Sequence, residues 1–346
     1  MSSIAVDAMG GDFAPRVVIE GVGEWLDRQS GGTTLFVVGD EAQVRAELRR
    51  IGKESDPRLT VVHAPDVIRM DDAPAAAVRT KRRSSINVAV DLVKQGEAQA
   101  FFSAGNTGAC VAATVLKWRT LAGILRPGIA AVFPSPEGNF VLLDAGSTVD
   151  CEPINLAQYA MMGMVYSRHI LGKASPRVGL LNVGGEDVKG NDLAKESYKL
   201  LNGMQGLNFI GNVEGHDLFG GRVDVVVCDG FVGNVVLKTC ESLGGALSKV
   251  LRTNLSKNIM RKVGYVLSKG AYTELRKTCD PAEFGGAPLL GVDGVCIIGH
   301  GSSCSRAVRN GIRVAEEFVR HQVNEHIVEQ AKVFAAVSAA RPAASV

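Results

Sequence analysis

The chain has 346 residues, a length that favours two lobes or one large α/β unit over a single average domain. Hydrophobic residues make up 46% of it, with 40 Gly and only 5% aromatic residues, which suits an aliphatic core joined by many tight turns. The formal net charge of +2 excludes a strong overall field for nucleic acid, and no apolar run reaches the ~18 residues that span a bilayer.

The seven cysteines are scattered, odd in number and free of CxxC spacing. This usage predicts buried free thiols in a reducing compartment. The start of the chain lacks a basic stretch and reaches Asp7 almost at once, so no signal peptide is predicted. We therefore expect a cytoplasmic location.

The first hundred residues alternate between short apolar strands and helices. Strands are predicted over residues 4–7, 34–38 and 59–64, and helices over 15–28, 41–51 and 85–94. Residues 66–77 have no regular pattern, and the basic run 79–83 follows them. Such alternation predicts parallel βαβ units, and hence an α/β fold with an open, mostly parallel, doubly wound sheet.

The stretch from Phe101 to Ala109 organises the rest of the chain. An apolar strand over 98–102 is followed by a turn of small residues and an apolar helix over 107–118. Gly105 and Gly108 allow the main chain to approach a ligand closely, and Asn106 and Thr107 add hydrogen-bonding side chains. The free amides and the dipole of the helix start suit phosphate. The simpler alternative is a capped turn without a ligand.

The remaining elements continue the α/β pattern. Strands are predicted over 129–133, 140–143, 178–181, 223–228 and 295–298, and helices over 154–171, 193–204 and 305–330, with a broken helical region ending near 277. We divide the chain into one large α/β domain of two lobes (1–330) with a helical protrusion at about 245–278, and a low-complexity tail (331–346).

Several strands end in small-residue turns that carry Ser, Asn, Asp or His. In an open parallel sheet these carboxyl ends lie along one edge, where ligands bind, so together they indicate an anion or phosphoryl site. The dinucleotide GxGxxG, the nucleotide P-loop, the GxSxG elbow and zinc spacing are all absent from the sequence, and no cofactor or metal is predicted. Cys110 is either an acyl-accepting thiol or a small apolar helix residue.

Six motifs, in order, resemble the bacterial phosphate acyltransferase family (PlsX), over residues 4 to about 319. They are residues 7–12, 71–74 with Arg79 and Lys81, 103–109, 228–234, 285–291 and 300–303. One departure is that the family usually has Asp-x-Gly-Ala-Asn where this chain has Asp-Ala-Gly-Ser-Thr at 144–148.

The resemblance implies transfer of an acyl group from acyl-[acyl carrier protein] to inorganic phosphate, an entry step to phospholipid synthesis. It also implies a homodimer with the isocitrate/isopropylmalate dehydrogenase-like fold that phosphotransacetylases share. Phosphate is already an ionised nucleophile near neutral pH, and a thiolate is a good leaving group, so positioning and oxyanion stabilisation suffice. The expected partners are acyl carrier protein and phosphate, without nucleic acid.

The same chemistry assigns roles to the motif residues. As catalytic residues we expect His300 for the oxyanion or proton transfer, Lys81 for charge, and Asn106. Arg79, Lys189 and Lys238 are the other candidate cations. The phosphate and substrate residues are expected to be Gly105, Thr107, Gly108, Asp7, Asp229, Asn234 and Ser302. Simpler roles are a solvated helix end for 79–83 and a capping or packing role for His300.

Three other functions remain open. A phosphotransacetylase would use acyl-CoA as the acyl donor. An NAD-dependent dehydrogenase of the same fold would need a nicotinamide site and a carboxylate-held metal. A carrier-protein scaffold at the membrane surface would need no chemistry at all, which would leave the strand-end turns without a purpose.

Residues 249–277 form a basic amphipathic segment, with eight basic residues against one acid. Leu255, Ile259, Val263 and Leu267 recur every four positions as an apolar stripe. The partner or membrane patch is predicted at Lys257, Arg261 and Lys262. Such a segment suits the inner face of a membrane, as a peripheral contact, or a carrier protein, because acyl carrier proteins are strongly acidic. The alternative is a dimer-interface helix with a solvated basic face.

Overall fold

The computed structural model describes residues 2–29, 32–278 and 280–339, which form twelve strands and twelve α-helices. The strands are β1 (Ser3–Asp7), β2 (Thr34–Gly39), β3 (Leu59–His63), β4 (Ala100–Ser103), β5 (Gly128–Ile129), β6 (Ala131–Ser135), β7 (Gly138–Leu143), β8 (Val178–Leu181), β9 (Phe209–Val213), β10 (Val225–Val227), β11 (Ala287–Leu290) and β12 (Val295–Ile298). The helices are α1 (Arg16–Arg28), α2 (Glu41–Arg50), α3 (Pro74–Thr80), α4 (Ser85–Lys94), α5 (Thr107–Trp118), α6 (Pro153–His169), α7 (Asp192–Asn202), α8 (Gly230–Leu255), α9 (Ile259–Leu267), α10 (Lys269–Thr278), α11 (Ser305–Arg320) and α12 (Val323–Ala339).

The strands form two sheets. The first has the order β3-β2-β1-β4-β12-β11-β5, and the second has the order β6-β7-β10-β8-β9. Strand β11 is antiparallel to both of its neighbours, β12 and β5, and β6 is antiparallel to β7; the other neighbouring pairs in these sheets are parallel. The predicted α/β class with mostly parallel strands is confirmed. The strand-end turns, however, belong to two sheets and not to one sheet edge: β1, β4 and β12 end in the first, and β7, β8 and β10 in the second.

The chain crosses between the sheets inside the segment for which the sequence predicts one strand, over 129–133. That prediction is wrong. Gly128–Ile129 pairs with β11 in the first sheet, whereas Ala131–Ser135 pairs with β7 in the second. At the crossing, the Ala130 amide donates to the Pro288 carbonyl oxygen at 2.9 Å. The apolar run is continuous through the crossing, so its pattern carries no sign of the change of sheet.

Four other elements differ from prediction. Helix α3 begins inside the segment 66–77, for which no regular structure is predicted, and β9 and β11 occupy segments where no strand is predicted. Strand β9 contains Gly211 at φ 91° and pairs with β8 in an irregular register. Its sequence lacks the regular alternation of apolar and polar residues that marks a strand. The helix predicted over 305–330 is divided into α11 and α12, with Gln322 at φ 48° between them. Helix α12 continues to Ala339, into the predicted low-complexity tail; residues 340–346 lie outside the described residues.

Helix α11 is packed tightly against α1 and β4. A Cβ placed on Gly21 of α1 would lie 2.5 Å from Cβ of Val308, and one on Gly311 would lie 2.1 Å from the Phe102 ring. These glycines therefore allow a close approach that no larger residue permits without movement. This tight packing fixes the position of the start of α11 and of the turn that precedes it, residues 299–304.

Helices α8 to α10 follow β10 and expose most of their length. The buried residues of α8 are Gly230 and Gly233, both in its first turns, and α9 has none among the residues described. The large apolar side chains that these helices expose include Leu243, Leu247, Val250, Ile259, Met260, Val263, Val266 and Leu267. This apolar surface faces solvent within the single chain.

The cysteines are only partly as expected. The six that lie in the described part of the chain are free, and Cys110, Cys228 and Cys296 are buried. Cys304 is exposed, because it occupies the N-cap position of α11 at the end of a surface turn. Cys279 lies outside the described residues.

Candidate active site

The turns after β1, β4 and β12 touch one another at the carboxyl edge of the first sheet. The Gly299 amide donates to the Ser103 carbonyl oxygen, and the Asp12 amide to that of Gly301, both at 2.8 Å. A Cβ on Gly11, whose φ is 105°, would lie 3.1 Å from the Gly301 oxygen and 3.3 Å from that of Ala104. Three segments that are distant in the sequence thus form one continuous surface.

Asp7 is the buried centre of this surface. Its Oδ2 accepts a hydrogen bond from the Ser103 hydroxyl at 2.7 Å, and its Oδ1 accepts one from the Met9 amide at 3.0 Å. The Ser103 oxygen in turn accepts from the Gly105 amide at 3.0 Å. Burial raises the pKa of Asp7. Asp7 and Gly105, both predicted ligand residues, therefore have protein partners, and Asp7 has no exposed surface.

Asn106 joins helix α5 to the loop that precedes α3. Its Oδ1 caps the helix by accepting from the Ala109 amide at 3.0 Å. Its Nδ2 lies 3.1–3.2 Å from the main-chain oxygens of Arg69, Met70 and Asp72. One amide group has two hydrogens to donate, so this side chain is fully occupied within the protein. The geometry suits a positioning role for Asn106.

Lys81 ties down the same loop. Its ammonium donates to the Val67 carbonyl oxygen at 3.0 Å and pairs with the Asp72 carboxylate. Asp72 also accepts from the Arg69 amide at 2.7 Å. The Lys81 hydrogen bond holds the pKa of Asp72 below its usual range. The predicted catalytic lysine thus lies beside the predicted Asn106 loop, with its charge already paired.

The first turn of α5 remains open to a ligand. Thr107 is exposed and Gly108 is partly exposed, and their amides are at the helix start, where no intrahelical acceptor exists. The Pro74 ring packs beside them: a Cβ on Gly108 would lie 2.6 Å from its Cγ. Two free amides at the positive end of a twelve-residue helix can donate hydrogen bonds to an anionic oxygen.

His300, in the turn after β12 of the first sheet, meets helix α8, which follows β10 of the second sheet. Its Nε2 lies 3.3 Å from Nζ of Lys238 and 3.7 Å from the Glu241 carboxylate, and Lys238 pairs with Glu241 at 2.9 Å. Its Nδ1 lies 2.8 Å from the Ser302 hydroxyl oxygen. With the ring hydrogen on Nδ1, Nε2 accepts from the Lys238 ammonium and Nδ1 donates to the Ser302 hydroxyl. With the hydrogen on Nε2, Nδ1 accepts from the Ser302 amide at 3.2 Å, and Nε2 can donate to an oxyanion.

Helix α8 connects the turns of the second sheet to this histidine. It begins at Asp229, whose carboxylate caps the helix by accepting from the Val232 amide at 2.9 Å. One turn later the exposed Asn234 lies beside Gly146, at the end of β7: a Cβ on that glycine would lie 3.3 Å from Asn234 Cβ. Lys238 follows four residues on, along the same face. The helix therefore presents polar groups to both sets of turns.

Asp144, at the end of β7, organises the second sheet as Asp7 organises the first. Its buried carboxylate accepts hydrogen bonds of 2.7–3.1 Å from the amides of Ile129, Gly146, Ser147 and Thr148. Burial raises its pKa to about 6, while the amides act in the opposite direction. A Cβ on Gly233 would lie 1.8 Å from the Asp144 carbonyl oxygen, so only glycine lets α8 start this close. The unusual Ser147 and Thr148 contribute their amides to this carboxylate.

The structure therefore brings together only part of the predicted set. His300 and Ser302 lie in contact. Gly105, Asn106, Thr107 and Gly108 share the neighbouring turn, which Ser103 joins to Asp7 at the end of β1. Glu241, which sequence reasoning missed, joins Lys238, one of four candidate cations; its signal is the three-residue spacing that puts both on one helix face. Lys189 remains on the turn after β8. Burial raises the pKa of Cys110 to about 12, so its thiol is a poor nucleophile at neutral pH.

Sequence comparisons find close relatives over nearly the whole chain. A family model described as "Fatty acid synthesis protein" matches residues 2–326. A phosphate acyltransferase of Pelotomaculum thermopropionicum is 50% identical over 324 residues, which cover 94% of this chain and 93% of that protein. A phosphate acyltransferase of Nostoc sp. is 44% identical over 337 residues, covering 97% and 98%.

Solved structures support the fold. A phosphotransacetylase from Streptococcus pyogenes superimposes with a TM-score of 0.62 at 16% identity, covering 94% of each chain. A branched-chain phosphotransacylase from Enterococcus faecalis gives 0.56 at 17% identity, covering 92% of this chain and all of that one. At such identities the likeness concerns architecture alone.

The positioning role of Asn106 can be tested with Asn106→Asp. Aspartate keeps the capping oxygen but replaces the donating amide with a carboxylate that faces three carbonyl oxygens. We expect the free energy of unfolding to fall by about 2 kcal/mol, the cost of leaving buried polar groups unpaired, as measured by denaturant titration.

The matched control is Asn191→Asp. Asn191 caps α7 by accepting from the Ala194 amide at 2.9 Å, so an aspartate serves equally well there. Equal stability of the two variants would show that the three carbonyl contacts of Asn106 contribute nothing.

Proposed function

The chain belongs to the phosphate acyltransferase family and is an acyltransferase, and we propose that its acyl donor is the thioester of acyl carrier protein. The acceptor is inorganic phosphate, and the acyl phosphate formed feeds phospholipid synthesis. The observation that carries the proposal is the meeting of His300 and Lys238, from opposite sheets, at the edge where the α5 amides are open. A free anion and a thioester can be held against each other there.

The reaction needs little acid or base strength. A phosphate oxygen attacks the thioester carbonyl carbon, and a tetrahedral oxyanion forms. Collapse of this intermediate breaks the carbon–sulfur bond, leaving a carbon–oxygen bond to phosphate and a thiolate. The thiol has an ordinary pKa near 8.5, so the thiolate leaves readily and takes a proton from water or from the site. Catalysis then depends on orientation and on donors aimed at the oxyanion.

Each open group has a role in this scheme. The amides of Thr107 and Gly108 bind phosphate at the start of α5. His300 stabilises the oxyanion or passes the proton, with Ser302 holding its ring. For the cation we favour Lys238 over Lys81, because Lys238 touches His300 and its side chain is 53% exposed against 33%. Lys81 and Asn106 hold the neighbouring loop in place.

The exposed helices α8 and α9 support two further parts of the proposal, a homodimer and a peripheral membrane contact. Leu243, Leu247 and Val250 recur along one face of α8, as expected for the interface of a homodimer. Helix α9 exposes Ile259 by 73% and Met260 by 80%, beside the basic patch of Lys257, Arg261 and Lys262. We propose that this end of the protrusion touches anionic membrane, as a peripheral contact. In the described residues, no helix is long and apolar enough to cross a bilayer.

Phosphate dependence is the first test of the function. We expect the protein to release free carrier thiol from acyl carrier protein only when inorganic phosphate is present, with acyl phosphate as the second product. A thiol reagent follows release, and hydroxylamine traps the acyl phosphate. Equal release without phosphate would indicate a thioesterase, and use of acyl-CoA alone would indicate a phosphotransacetylase.

The contact between His300 and Lys238 is tested by His300→Ala and Lys238→Ala, singly and together. Loss of an aligned oxyanion donor costs about a hundred- to a thousandfold in rate, and we expect a kcat loss of that size for His300→Ala. The double variant should be little worse than the worse single variant, because the two side chains act as a unit. Lys199→Ala, in an exposed pair with Glu196 at 3.2 Å on α7, is the control. Near-normal rates in all variants would place the chemistry elsewhere.

The membrane patch is tested by replacing Lys257, Arg261 and Lys262 with Glu. Basic residues near an anionic surface contribute about 1 kcal/mol each, so we expect a large, salt-sensitive loss of binding to phosphatidylglycerol vesicles in a sedimentation assay. Activity on a small soluble thioester should be retained. The control replaces the exposed Arg168, Lys195 and Lys199 with Glu. Undiminished vesicle binding by a dimeric patch variant would assign the patch a purely structural role.

A further inference from the structure

Four exposed arginines form a basic rim beside the open start of α5. They are Arg69, in the loop before α3, and Arg79, Arg82 and Arg83, around the end of α3; we call them the arginine rim. Within the described parts of the chain, none has a carboxylate oxygen within 4.0 Å, although Asp66, Asp71 and Asp72 occur in the same segment. Asp72 is paired with Lys81 instead.

Several arginines on other helices are ion-paired. Arg45 pairs with Glu41 at 2.8 Å, and Arg313 pairs with Glu317 at the same distance. The arginine rim instead brings four exposed guanidinium groups, without a carboxylate partner among the described residues, onto one surface beside the site. These positive charges repel one another, and binding an acidic surface over them is therefore electrostatically favourable.

The arginine rim lies at the site edge of the first sheet. The main-chain oxygen of Arg69 accepts from Asn106 Nδ2 at 3.2 Å, and the neighbouring Met70 packs on Gly301, next to His300. The Arg83 carbonyl oxygen accepts from the Asp66 amide at 3.3 Å, which joins Arg83 to the loop before α3. The Arg82 guanidinium donates to the Arg79 carbonyl oxygen at 3.4 Å, which places it over the end of α3.

We propose that the arginine rim is the docking surface for the acyl carrier protein. The proposal rests on the proposed function, which supplies a strongly acidic protein as the acyl donor. A carrier protein must present its acyl arm to the start of α5 and to His300, and the arginine rim is the basic surface that borders both. Arginine suits this task because its planar guanidinium group binds a carboxylate through two parallel hydrogen bonds.

The composition of the surface favours a soluble acidic protein over a lipid surface. Within residues 66–83, all of which the structure describes, Met70 is the only large apolar residue that is exposed, at 47%. A membrane-inserting surface combines basic residues with several exposed apolar ones, as α9 does. The arginine rim lacks that apolar part, and a charged, solvated surface is typical of a transient protein contact. Carrier and membrane would then use separate surfaces of one chain.

The test is a triple charge reversal, Arg69→Glu, Arg82→Glu and Arg83→Glu, in the full-length protein. Arg79 is kept, because it is a candidate cation for the site. We expect the KM for acyl carrier protein to rise about tenfold at low salt, the effect of losing three exposed charge pairs of modest strength. The parent KM should rise with added salt and the variant KM much less, while kcat with an acyl N-acetylcysteamine thioester stays unchanged.

The matched control reverses three exposed, unpaired charges at the opposite edge of the first sheet. Arg28, Lys94 and Arg320 lie in the last turns of α1, α4 and α11, which run away from the site. Replacing all three with Glu gives the same change in net charge. We expect this variant to keep the parent KM for the carrier within about twofold, within the scatter of independent surface substitutions.

Three outcomes would overturn the proposal. A carrier KM equal to that of the control variant would mean that the carrier docks elsewhere. An equal rise in KM for acyl-CoA would assign the arginine rim to phosphate groups of the donor and not to a protein surface. Loss of binding to phosphatidylglycerol vesicles with an unchanged carrier KM would make it a lipid contact. Failure of the proposed function is seen separately, because the parent itself would then form no acyl phosphate from the carrier thioester.

Discussion

The hydrogen bond between the Ser103 hydroxyl and the buried Asp7 carboxylate holds the candidate site together. It joins the ends of β1 and β4, and the Gly105 amide adds the turn that starts α5. A carboxylate without exposed surface must be satisfied by neighbouring donors, so both turns are tied to one geometry. That constraint fixes the orientation of the α5 amides and of the Asn106 cap. The other groups of the candidate site lie around the start of α5.

Helix α8 provides the second half of the arrangement. Its first turn is pressed onto the Asp144 turn of the second sheet through Gly230 and Gly233, and its second and third turns reach His300 in the first. The angle at which the helix leaves that turn therefore decides whether Lys238 meets the histidine. The same helix then continues into the exposed segment. In the proposed arrangement, the Lys238–His300 contact and the surface proposed for dimerisation lie on the same helix.

The small net charge of the molecule hides an uneven distribution of charge over its surface. The net charge of +2 conceals an unpaired arginine rim beside the site and a second basic patch near α9. Ion pairs such as Arg313 with Glu317 neutralise other surfaces. Because exposed charges are screened beyond about 8 Å in physiological salt, each basic surface can bind a separate proposed partner.

The sequence by itself determined the α/β class, the strand-end turns and the stretch around Asn106, because apolar periodicity and small-residue turns are local signals. It did not show that Ala130 marks a change of sheet, nor that Lys81 is paired with Asp72, nor that Asn106 is occupied by three carbonyl oxygens. These are contacts between residues distant along the chain, and a residue type does not reveal its partner. Only the tertiary structure decided that Lys238 lies against His300, because that contact depends on how two sheets and one helix pack together.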